Sequence, residues 1–309
     1  MTAAPQRALP SRSRWLHTTP RHWLGAAVAA ASPWLLATTV LTQQDPAASS
    51  EQSTPPEARA AETLTREERE VFLLKARIVR ARPAPKGITG SHRITLSDGR
   101  LTHDAHVQSI DEALNTFQGR RGVELNFRDS WRFNVAAYRL SVLLGMDMVP
   151  VTVERIYKRA PSSFTWWVDD VMMDEGTRVT EKRRAPDVKA WGQQMAVVRV
   201  FDELIYNTDR NFGNLLITSD WQLWMIDHTR AFRRHRTLRT ATHLTGCDRA
   251  LLARLEALDK ATIHRELARW LELPELEGLV GRREAILQFF KTTPASSLFD
   301  LSPRGVVVH

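Results

Sequence analysis

The sequence predicts a two-lobed α+β domain that follows a separate N-terminal leader. Strand-like segments and one long helix fill residues 64–168, and helical patterns dominate residues 169–295. Within the second half, two short apolar runs, Leu215 to Thr218 and Leu223 to Ile226, are typical of a β-hairpin with a four-residue turn. At 309 residues, with 43% apolar and 25% charged residues, the chain is long enough to bury a sizeable core.

The leader has the charge pattern of a segment that meets a membrane. An apolar run from Trp23 to Leu41 follows a stretch with no acidic residue and four arginines, Arg7, Arg12, Arg14 and Arg21. This order predicts that residues 1–41 form a signal peptide or a membrane anchor. The alternative is a disordered, alanine-rich leader. If the segment inserts, the domain is exported or anchored outside the cytoplasm; otherwise the protein is cytoplasmic. Residues 42–63, rich in Gln, Ser, Pro and Ala, predict a flexible linker.

The first lobe is expected to begin with a helix, because Thr65-Arg-Glu-Glu68 forms a capping box. Two predicted strands, Ala76–Ala81 and Arg93–Ser97, then flank the loop Pro85–Ser91, which contains Lys86, Gly87 and Gly90. Backbone N–H groups in such a loop can surround phosphate groups, although two glycines between strands also make an ordinary turn.

The rest of this lobe contains a helix and a strand pair. After residues 103–108 and a polar loop, the spacing of apolar residues predicts a helix from Trp131 to Leu144, ended by Gly145, with a strand beginning at Met148–Pro150. Predicted strands at 154–157 and 163–168 then lead to a hinge at 169–170. Trp166 and Trp167 in the second strand either stack on a nucleotide base or pack in the core.

The second lobe is predicted to be mostly helical. Apolar spacing predicts one helix over 191–206, leading into the loop before the hairpin, and three more at 248–257, 262–270 and 281–290. Residues 296–309 are predicted to be a tail. The single cysteine, Cys247, excludes an intramolecular disulfide and is expected to be a buried thiol.

Three polar residues flank the predicted hairpin. Asn214 precedes its first strand and Asp227 follows its second, so a hairpin brings the two together, and Asp209 lies five residues before Asn214 on the same loop. Each of them is also a common turn residue at a strand end. Two carboxylates and an amide oxygen at one point nevertheless suit Mg²⁺ or Mn²⁺ that carries phosphates. The spacing of all three therefore predicts a metal-phosphate site.

The segment Asp209-Arg-x-x-x-Asn214, with Asp227 thirteen residues later, resembles the catalytic loop and metal-binding Asp of the atypical kinases. These include phosphoinositide kinases, HipA-type kinases, the Golgi casein kinase and spore-coat kinases. The resemblance implies a kinase-like fold with a small β-rich N-lobe, one αC-like helix and a mostly helical C-lobe. It implies that Asp209 is the catalytic base, Asn214 a metal ligand and Asp227 the principal metal ligand. Two positions depart from the pattern: Asn211, where lipid kinases have His, and His228-Thr229, where many kinases have Phe-Gly.

A second departure concerns the phosphate-orienting pair. Kinases hold the α- and β-phosphates with a strand Lys and a helix Glu, and the resemblance aligns Gln108 and Asn134 with these positions. The domain is then either a pseudokinase or one in which another cation supplies the charge. Lys86 and Arg93 are the candidate cations, with Glu124 or Asp129 as the acidic partner.

Charge gives weaker information about partners. Most of the net charge of +8 lies in the domain, and a basic cluster follows the predicted metal site, at Arg230, Arg233, Arg234, Arg236 and Arg239. In a kinase this strip would suit an acidic peptide, a phosphorylated sugar or a lipid headgroup. Pairing with the domain's own acids explains the strip equally well. No nucleic-acid-binding module accompanies it.

Taken together, the residues and the resemblance predict an enzyme that uses ATP and Mg²⁺ or Mn²⁺ to transfer a phosphoryl group to a protein, a sugar or a lipid headgroup. A nucleotidyl (AMP) transferase on the same fold is the second hypothesis, since altered phosphate positioning could present the α-phosphate instead. A non-catalytic pseudokinase that acts as a binding module is the third.

Overall fold

The computed structural model describes residues 64–84, 91–119 and 122–301. The predicted leader 1–41, the linker 42–63 and residues 85–90 of the predicted glycine loop lie outside this part of the chain. Within the described residues, none of the helices combines the length and the apolar character that a membrane crossing requires.

The first lobe begins with helix α1 (Arg66–Lys75), and the predicted capping box at Thr65 and Glu68 is present. A five-stranded sheet follows, with neighbours antiparallel in the order β1-β2-β3-β7-β6. These strands are β1 (Arg77–Pro83), β2 (His92–Ser97), β3 (Thr102–Gln108), β6 (Thr152–Tyr157) and β7 (Ala160–Trp166).

The two faces of this sheet differ in chemistry. Side chains alternate across a strand, so the pairing of Ile94 with Ala105 places both on one face, where they are fully buried in the core. The pairing of Arg93 with His106 places these two on the opposite face, which is polar. The sheet therefore presents an apolar face to the core and a polar face away from it.

The segment between β3 and the next helix is a β-hairpin, and the prediction of a polar loop there was wrong. Strands β4 (Asp111–Gly119) and β5 (Gly122–Ser130) pair along their whole length. Leu114, Val123 and Leu125 are all exposed, so the hairpin has no strand-like alternation of buried and exposed apolar residues to reveal it.

Helix α2 (Trp131–Leu143) agrees with the prediction and is capped by the Ser130 side chain. The strand predicted from Met148 is absent, because β6 begins only at Thr152. Pro150 has no backbone N–H to donate to a ladder, and the carbonyl of Met148 instead accepts a 2.7 Å hydrogen bond from Met225 N. The loop before β6 thus contacts the second lobe.

The second lobe contains a three-stranded sheet and five helices among the described residues. The sheet has the order β10-β9-β8, with β8 (Val171–Asp174), β9 (Leu215–Thr218) and β10 (Leu223–Met225), so the predicted hairpin is present. The helices are α3 (Glu175–Thr180), α4 (Val188–Leu204), α5 (Arg249–Ala257), α6 (Lys260–Leu267) and α7 (Leu273–Thr292).

Helix α7 begins eight residues before the predicted start at Gly281. Gly278 and Gly281 lie inside it because the chain after Asp227 passes very close by. A Cβ on Gly278 would lie 2.8 Å from the carbonyl oxygen of Arg233, and one on Gly281 would lie 2.7 Å from Cβ of Arg236. These glycines, which weaken the helical pattern in the sequence, permit the close approach.

Cys247 is fully buried, as predicted, and burial raises the pKa of its thiol to about 12. It lies in β11 (Cys247–Asp248), which pairs in parallel with β12 (Leu298–Phe299). The predicted tail, from residue 296, therefore includes a short strand that joins the second lobe.

Candidate metal-phosphate site

The hairpin β9–β10 brings Asn214 and Asp227 to the same end. Leu215 pairs with Met225, and one step further out Ile226 N donates a 3.1 Å hydrogen bond to the carbonyl of Asn214. Asn214 and Asp227 therefore flank the open end of the hairpin, opposite its turn, as the sequence pattern predicts.

The loop that carries Asp209 is joined to the same place. The amide of Asn214 donates to the carbonyl of Asp209 over 3.5 Å, and Asp209 N donates a 3.0 Å hydrogen bond to the side chain of Asn207. The side chains of Asp209 and Asp227 are exposed and that of Asn214 is half-buried. The loop of Asp209 thus contacts Asn214, and the carboxylates of Asp209 and Asp227 are both open to solvent.

Arg210 fixes the backbone of this site, and sequence reasoning had not assigned it a role. Its Nη1 donates to the carbonyls of Asn214, at 3.0 Å, and Ile226, at 2.8 Å. Its Nε binds the carboxylate of Asp202 on α4 at 2.9 Å. One guanidinium therefore ties the loop, both hairpin ends and a helix together. The sequence signal is weak: an Arg beside Asp209 and an Asp eight residues earlier.

Asp227 has a left-handed backbone, with φ of 54°. Asp is among the few residues that adopt this conformation readily. Its Oδ1 accepts a 3.0 Å hydrogen bond from the hydroxyl of Thr229. The next residue, His228, is buried, and burial lowers its pKa well below the ordinary value, so it is neutral at pH 7. The residue that directly follows Asp227 is thus a buried, neutral imidazole.

Two further ionisable groups surround Asp227. On the polar face of the sheet, burial holds the pKa of His106 below its ordinary value, although the Asp227 charge opposes this effect. At the end of β5, burial and the Asp227 charge together raise the pKa of Asp129, against a hydrogen bond from Thr229. Both first-lobe strands therefore lie close enough to Asp227 to sense its charge.

Gln108 and Asn134, which the resemblance aligns with the Lys–Glu pair of kinases, are neutral and connected to each other. The Oδ1 of Asn134, on α2, accepts a 2.8 Å hydrogen bond from His228 N, and its Nδ2 donates to Ser163 Oγ over 3.3 Å. Ser163 in turn donates to the carbonyl of Gln108 over 3.5 Å. Gln108 and Asn134 are thus linked through Ser163, and Asn134 holds the backbone next to Asp227.

The cations expected to replace the lysine have different positions. Lys86, Gly87 and Gly90 lie outside the described residues. Arg93 forms a 2.5 Å ion pair with Asp104, and its guanidinium lies 4.0 Å from the ring centroid of Trp167. Trp166 packs in the core instead, stacked on His103 with centroids 3.8 Å apart.

The arginine cluster after Asp227 is mostly paired with the protein's own acids. Five ion pairs involve it: Arg230–Glu124, Arg230–Asp209, Arg233–Glu124, Arg234–Glu272 and Arg236–Glu277. Arg239 instead donates to the backbone carbonyl of Asn207 over 2.7 Å. Of the two explanations for the strip, these contacts favour internal pairing.

The donor set fits a hard divalent cation. Asp209, Asn214 and Asp227 offer oxygens only, which suits Mg²⁺ or Mn²⁺. Over residues 64–84, 91–119 and 122–301, no group of three or more His, Cys, Asp or Glu side chains is arranged to hold a metal ion. With Asp209 as the expected base, Asn214 and Asp227 would be the metal ligands, and phosphate oxygens would be needed to complete the metal's coordination.

Comparisons with protein-family models and with curated proteins give no match. Solved structures do match. The hydra Fam20 structure with sugar has a TM-score of 0.56 and 14% identity, covering 76% of this chain and 92% of that one. The Golgi casein kinase has a TM-score of 0.52 and 12% identity, covering 76% of this chain and 77% of that one. A structure of the Golgi casein kinase with Mn/ADP bound has a TM-score of 0.51 and 11% identity, covering 76% and 78%.

At this level of identity the matches concern the fold. The chain has the two-lobed α+β fold of the atypical kinases, with a β-rich first lobe and a mostly helical second lobe. The candidate site lies on the hairpin of the second lobe, and the polar face of the first-lobe sheet is close to Asp227.

Proposed function

We propose that this protein is an atypical kinase-like phosphotransferase that moves a phosphoryl group from ATP to an acceptor. One observation carries the proposal: on a kinase-like fold, the hairpin and Arg210 hold the backbone of Asn214 beside that of Ile226 and Asp227, and the Asn214 side chain hydrogen-bonds the carbonyl of Asp209. A non-catalytic domain has no chemical need for this set.

In the proposed reaction, Asn214 and Asp227 hold Mg²⁺ or Mn²⁺, which neutralises the phosphates of the nucleotide. Asp209 accepts the proton of the acceptor hydroxyl, and its exposure leaves room for that hydroxyl. We assign nucleotide contacts to Lys86, Gly87, Gly90, Arg93, Gln108 and Asn134. The matched Golgi casein kinase structure contains Mn/ADP, which supports the choice of metal and nucleotide.

The acceptor is proposed to be a protein, a sugar or a lipid headgroup. Internal pairing of the arginine strip weakens the argument for an acidic or phosphorylated acceptor. The structure of hydra Fam20 contains a sugar, which supports a sugar among the acceptors to be tested first.

The pseudokinase hypothesis has one observation in its favour, which is the neutral connection between Gln108 and Asn134 where a charged pair is expected. A binding module would keep the fold and lose the transfer. AMP transfer remains the second enzymatic hypothesis, because the same substitution alters how the phosphates are held.

The test begins with binding. Purified protein is melted with and without ATP and MnCl₂, as wild type and as Asp227→Asn. Asn also tolerates a positive φ, so this variant removes the charge without straining the backbone. Asp220→Asn, at the other end of the same hairpin, is the control. We expect ATP with Mn²⁺ to raise the melting temperature of wild type and the control, and not that of Asp227→Asn.

Mass spectrometry after incubation with ATP and candidate acceptors then identifies the reaction. Addition of a phosphate supports the kinase, and addition of AMP supports the nucleotidyl transferase. Binding without either product in any acceptor screen would favour the pseudokinase. Asp209→Asn should keep the Mn²⁺-dependent shift and lose the product, because the base does not hold the metal.

We also propose that residues 1–41 export or anchor the protein, from their basic-then-apolar order. Cell fractionation of the full chain against a version lacking residues 1–41 tests this. Recovery of both in the cytoplasm would contradict it.

A further inference from the structure

A phosphoryl-transfer site needs positive charge near the reacting phosphate, because the transition state spreads negative charge over three oxygens. Gln108 and Asn134 are neutral, and Arg93 is held by Asp104 and Trp167. The geometry of the described residues provides another cation, Arg230.

Arg230 lies beside the proposed base. Its Nη1 is 3.7 Å from Asp209 Oδ1, and its Nη2 is 3.1 Å from Glu124 Oε2 on the β4–β5 hairpin. Its guanidinium carbon lies 4.8 Å from the ring centroid of Phe127. The guanidinium therefore contacts both the β4–β5 hairpin and the carboxylate of Asp209.

The backbone of Arg230 is fixed to the same loop. Its carbonyl accepts hydrogen bonds from Thr208 N, at 3.2 Å, and from Thr208 Oγ1, at 2.9 Å. Thr208 directly precedes Asp209, and Arg230 follows Asp227 by three residues. Both ends of the candidate site are thus coupled to Arg230 through the main chain.

The neighbouring arginines contact other groups. Arg233 is buried and donates to the carbonyl of Arg128, at 2.7 Å. Arg234 pairs with Glu272. Arg210 is bound to Asp202 and to backbone carbonyls of the site. Arg230 is the member of the strip that contacts Asp209.

We propose that Arg230 is a catalytic residue whose planar guanidinium donates two hydrogen bonds to oxygens of the transferring phosphoryl group. This inference rests on the proposed kinase function. It assigns to Arg230 the positive charge that the strand Lys position lacks. Glu124 and Phe127 are positioning residues, which hold the guanidinium beside Asp209.

The balanced reaction is a phosphoryl transfer. The acceptor oxygen bonds to the γ-phosphorus and its proton passes to Asp209. The bond from the γ-phosphorus to the β–γ bridging oxygen breaks, and ADP leaves with the electron pair. Arg230 stays protonated throughout, because a guanidinium does not titrate in this range. It stabilises charge and accepts no proton.

The test uses the full chain with γ-³²P-labelled ATP and MnCl₂, measuring phosphate release and self-labelling, with nucleotide affinity measured separately. Arg230→Gln is compared with Arg234→Gln, a strip arginine with an exposed pair. We expect Arg230→Gln to lower kcat by about 100-fold or more, with nucleotide Kd changed by less than about 3-fold, since the contact forms mainly in the transition state. Arg234→Gln should behave like wild type.

Arg230→Lys decides the matter if Arg230→Gln fails to fold. Lys keeps the positive charge but lacks the planar guanidinium with its paired N–H donors. We therefore expect kcat to fall by about 10-fold or more while the melting temperature stays at the wild-type value. Wild-type kcat in either folded variant would overturn the inference. Wild-type protein with no Mn²⁺-dependent turnover, indistinguishable from Asp227→Asn, would instead overturn the proposed function, and the inference with it. Lys86→Ala provides a contrast, because a loop cation that orients nucleotide should mainly weaken Kd.

Discussion

The side-chain oxygen of Asn134 accepts a 2.8 Å hydrogen bond from the backbone N–H of His228. Both residues are buried. This contact joins helix α2 of the first lobe to the residue after Asp227, so an amide side chain of the first lobe holds the backbone next to the proposed metal ligand.

Asn134→Ala is expected to lower the free energy of unfolding by about 1–3 kcal/mol, because the buried His228 N–H loses its partner. It should also weaken the Mn²⁺-ATP-dependent rise in melting temperature. Urea denaturation and thermal melting measure the two effects. Asn115→Ala, at an exposed position on β4, is the control and should change neither. Unchanged stability in Asn134→Ala would mean that water replaces the bond.

Arg210→Met should lower stability more than Asn134→Ala does, since it removes the side chain that hydrogen-bonds the backbone at both ends of the hairpin. It leaves Asp202, whose side chain is 15% exposed, without its ion partner. We expect a loss of about 3–5 kcal/mol in unfolding free energy and no Mn²⁺-ATP response in the fraction that stays folded. Arg199→Met, exposed on the same helix as Asp202, should have a small effect. A Met variant that responds normally to Mn²⁺-ATP would refute the positioning role.

Glu275 should make stability depend on pH. Burial raises its pKa above the ordinary 4.5, although the Glu272 backbone N–H and Arg128 oppose this effect. The folded state then binds a proton more readily than the unfolded state, so wild-type stability falls as pH rises from 4.5 through the folded pKa. Glu275→Gln keeps an acceptor for the capping box and lacks this slope. Relative to wild type, Glu275→Gln should therefore be more stable at pH 7 than at pH 4. The difference in unfolding free energy should be roughly 1.4 kcal/mol for each unit of pKa shift.

Glu277 on the same helix provides a control of opposite sign. A hydrogen bond from Lys260 holds its pKa below the ordinary value. Its contribution is present above pH 4.5 and is lost as pH falls through the folded pKa. Glu277→Gln should therefore lose stability relative to wild type at pH 7, and denaturant unfolding at both pH values checks the two signs together. If Glu275→Gln and Glu277→Gln change the unfolding free energy at pH 7 in the same direction, the opposite pKa shifts of the two carboxyls are contradicted.

Arg282→Met should loosen the chain after the candidate site. Arg282 is fully buried, and it donates to the carbonyl of Leu204, at 2.7 Å, to that of Arg233, at 2.7 Å, and to that of His235. Removing it leaves buried carbonyls without donors, at a cost of about 3 kcal/mol or more. Limited trypsin digestion should then cut near Arg233 sooner than in wild type. Gln288→Met, exposed on the same helix and not a trypsin site, should leave the digestion pattern intact.

The hairpin part of the site could be predicted from the sequence because its geometry is local. Turn residues and two apolar runs fix which ends meet, so Asn214 and Asp227 follow from chain order alone. Arg210 could not be predicted in the same way. Its partners are carbonyls and a carboxylate on α4, and carbonyls carry no sequence signal.

The contacts of the first lobe could not be predicted from the sequence either. The Asn134–Ser163 hydrogen bond spans 29 residues and joins two neutral side chains, whereas the expected pattern was an ion pair. The β4–β5 hairpin was not predicted because Val123 and Leu125 on its second strand are exposed. Its sequence therefore lacks the alternation of apolar and polar residues that marks a half-buried strand. The start of helix α7 was predicted too late because Gly278 and Gly281 weaken the helical pattern in the sequence. Both are glycines because the segment at Arg233 and Arg236 passes close to the helix.

The burial of Cys247 has a practical consequence. Because the sequence contains one cysteine and its thiol is inaccessible in the folded state, a cysteine placed at an exposed position would be the sole reactive thiol of the native protein. Phe212, 54% exposed and two residues before Asn214, is such a position. A fluorophore attached to Phe212→Cys would report the proposed nucleotide and metal binding from beside Asn214, without removal of any native residue elsewhere.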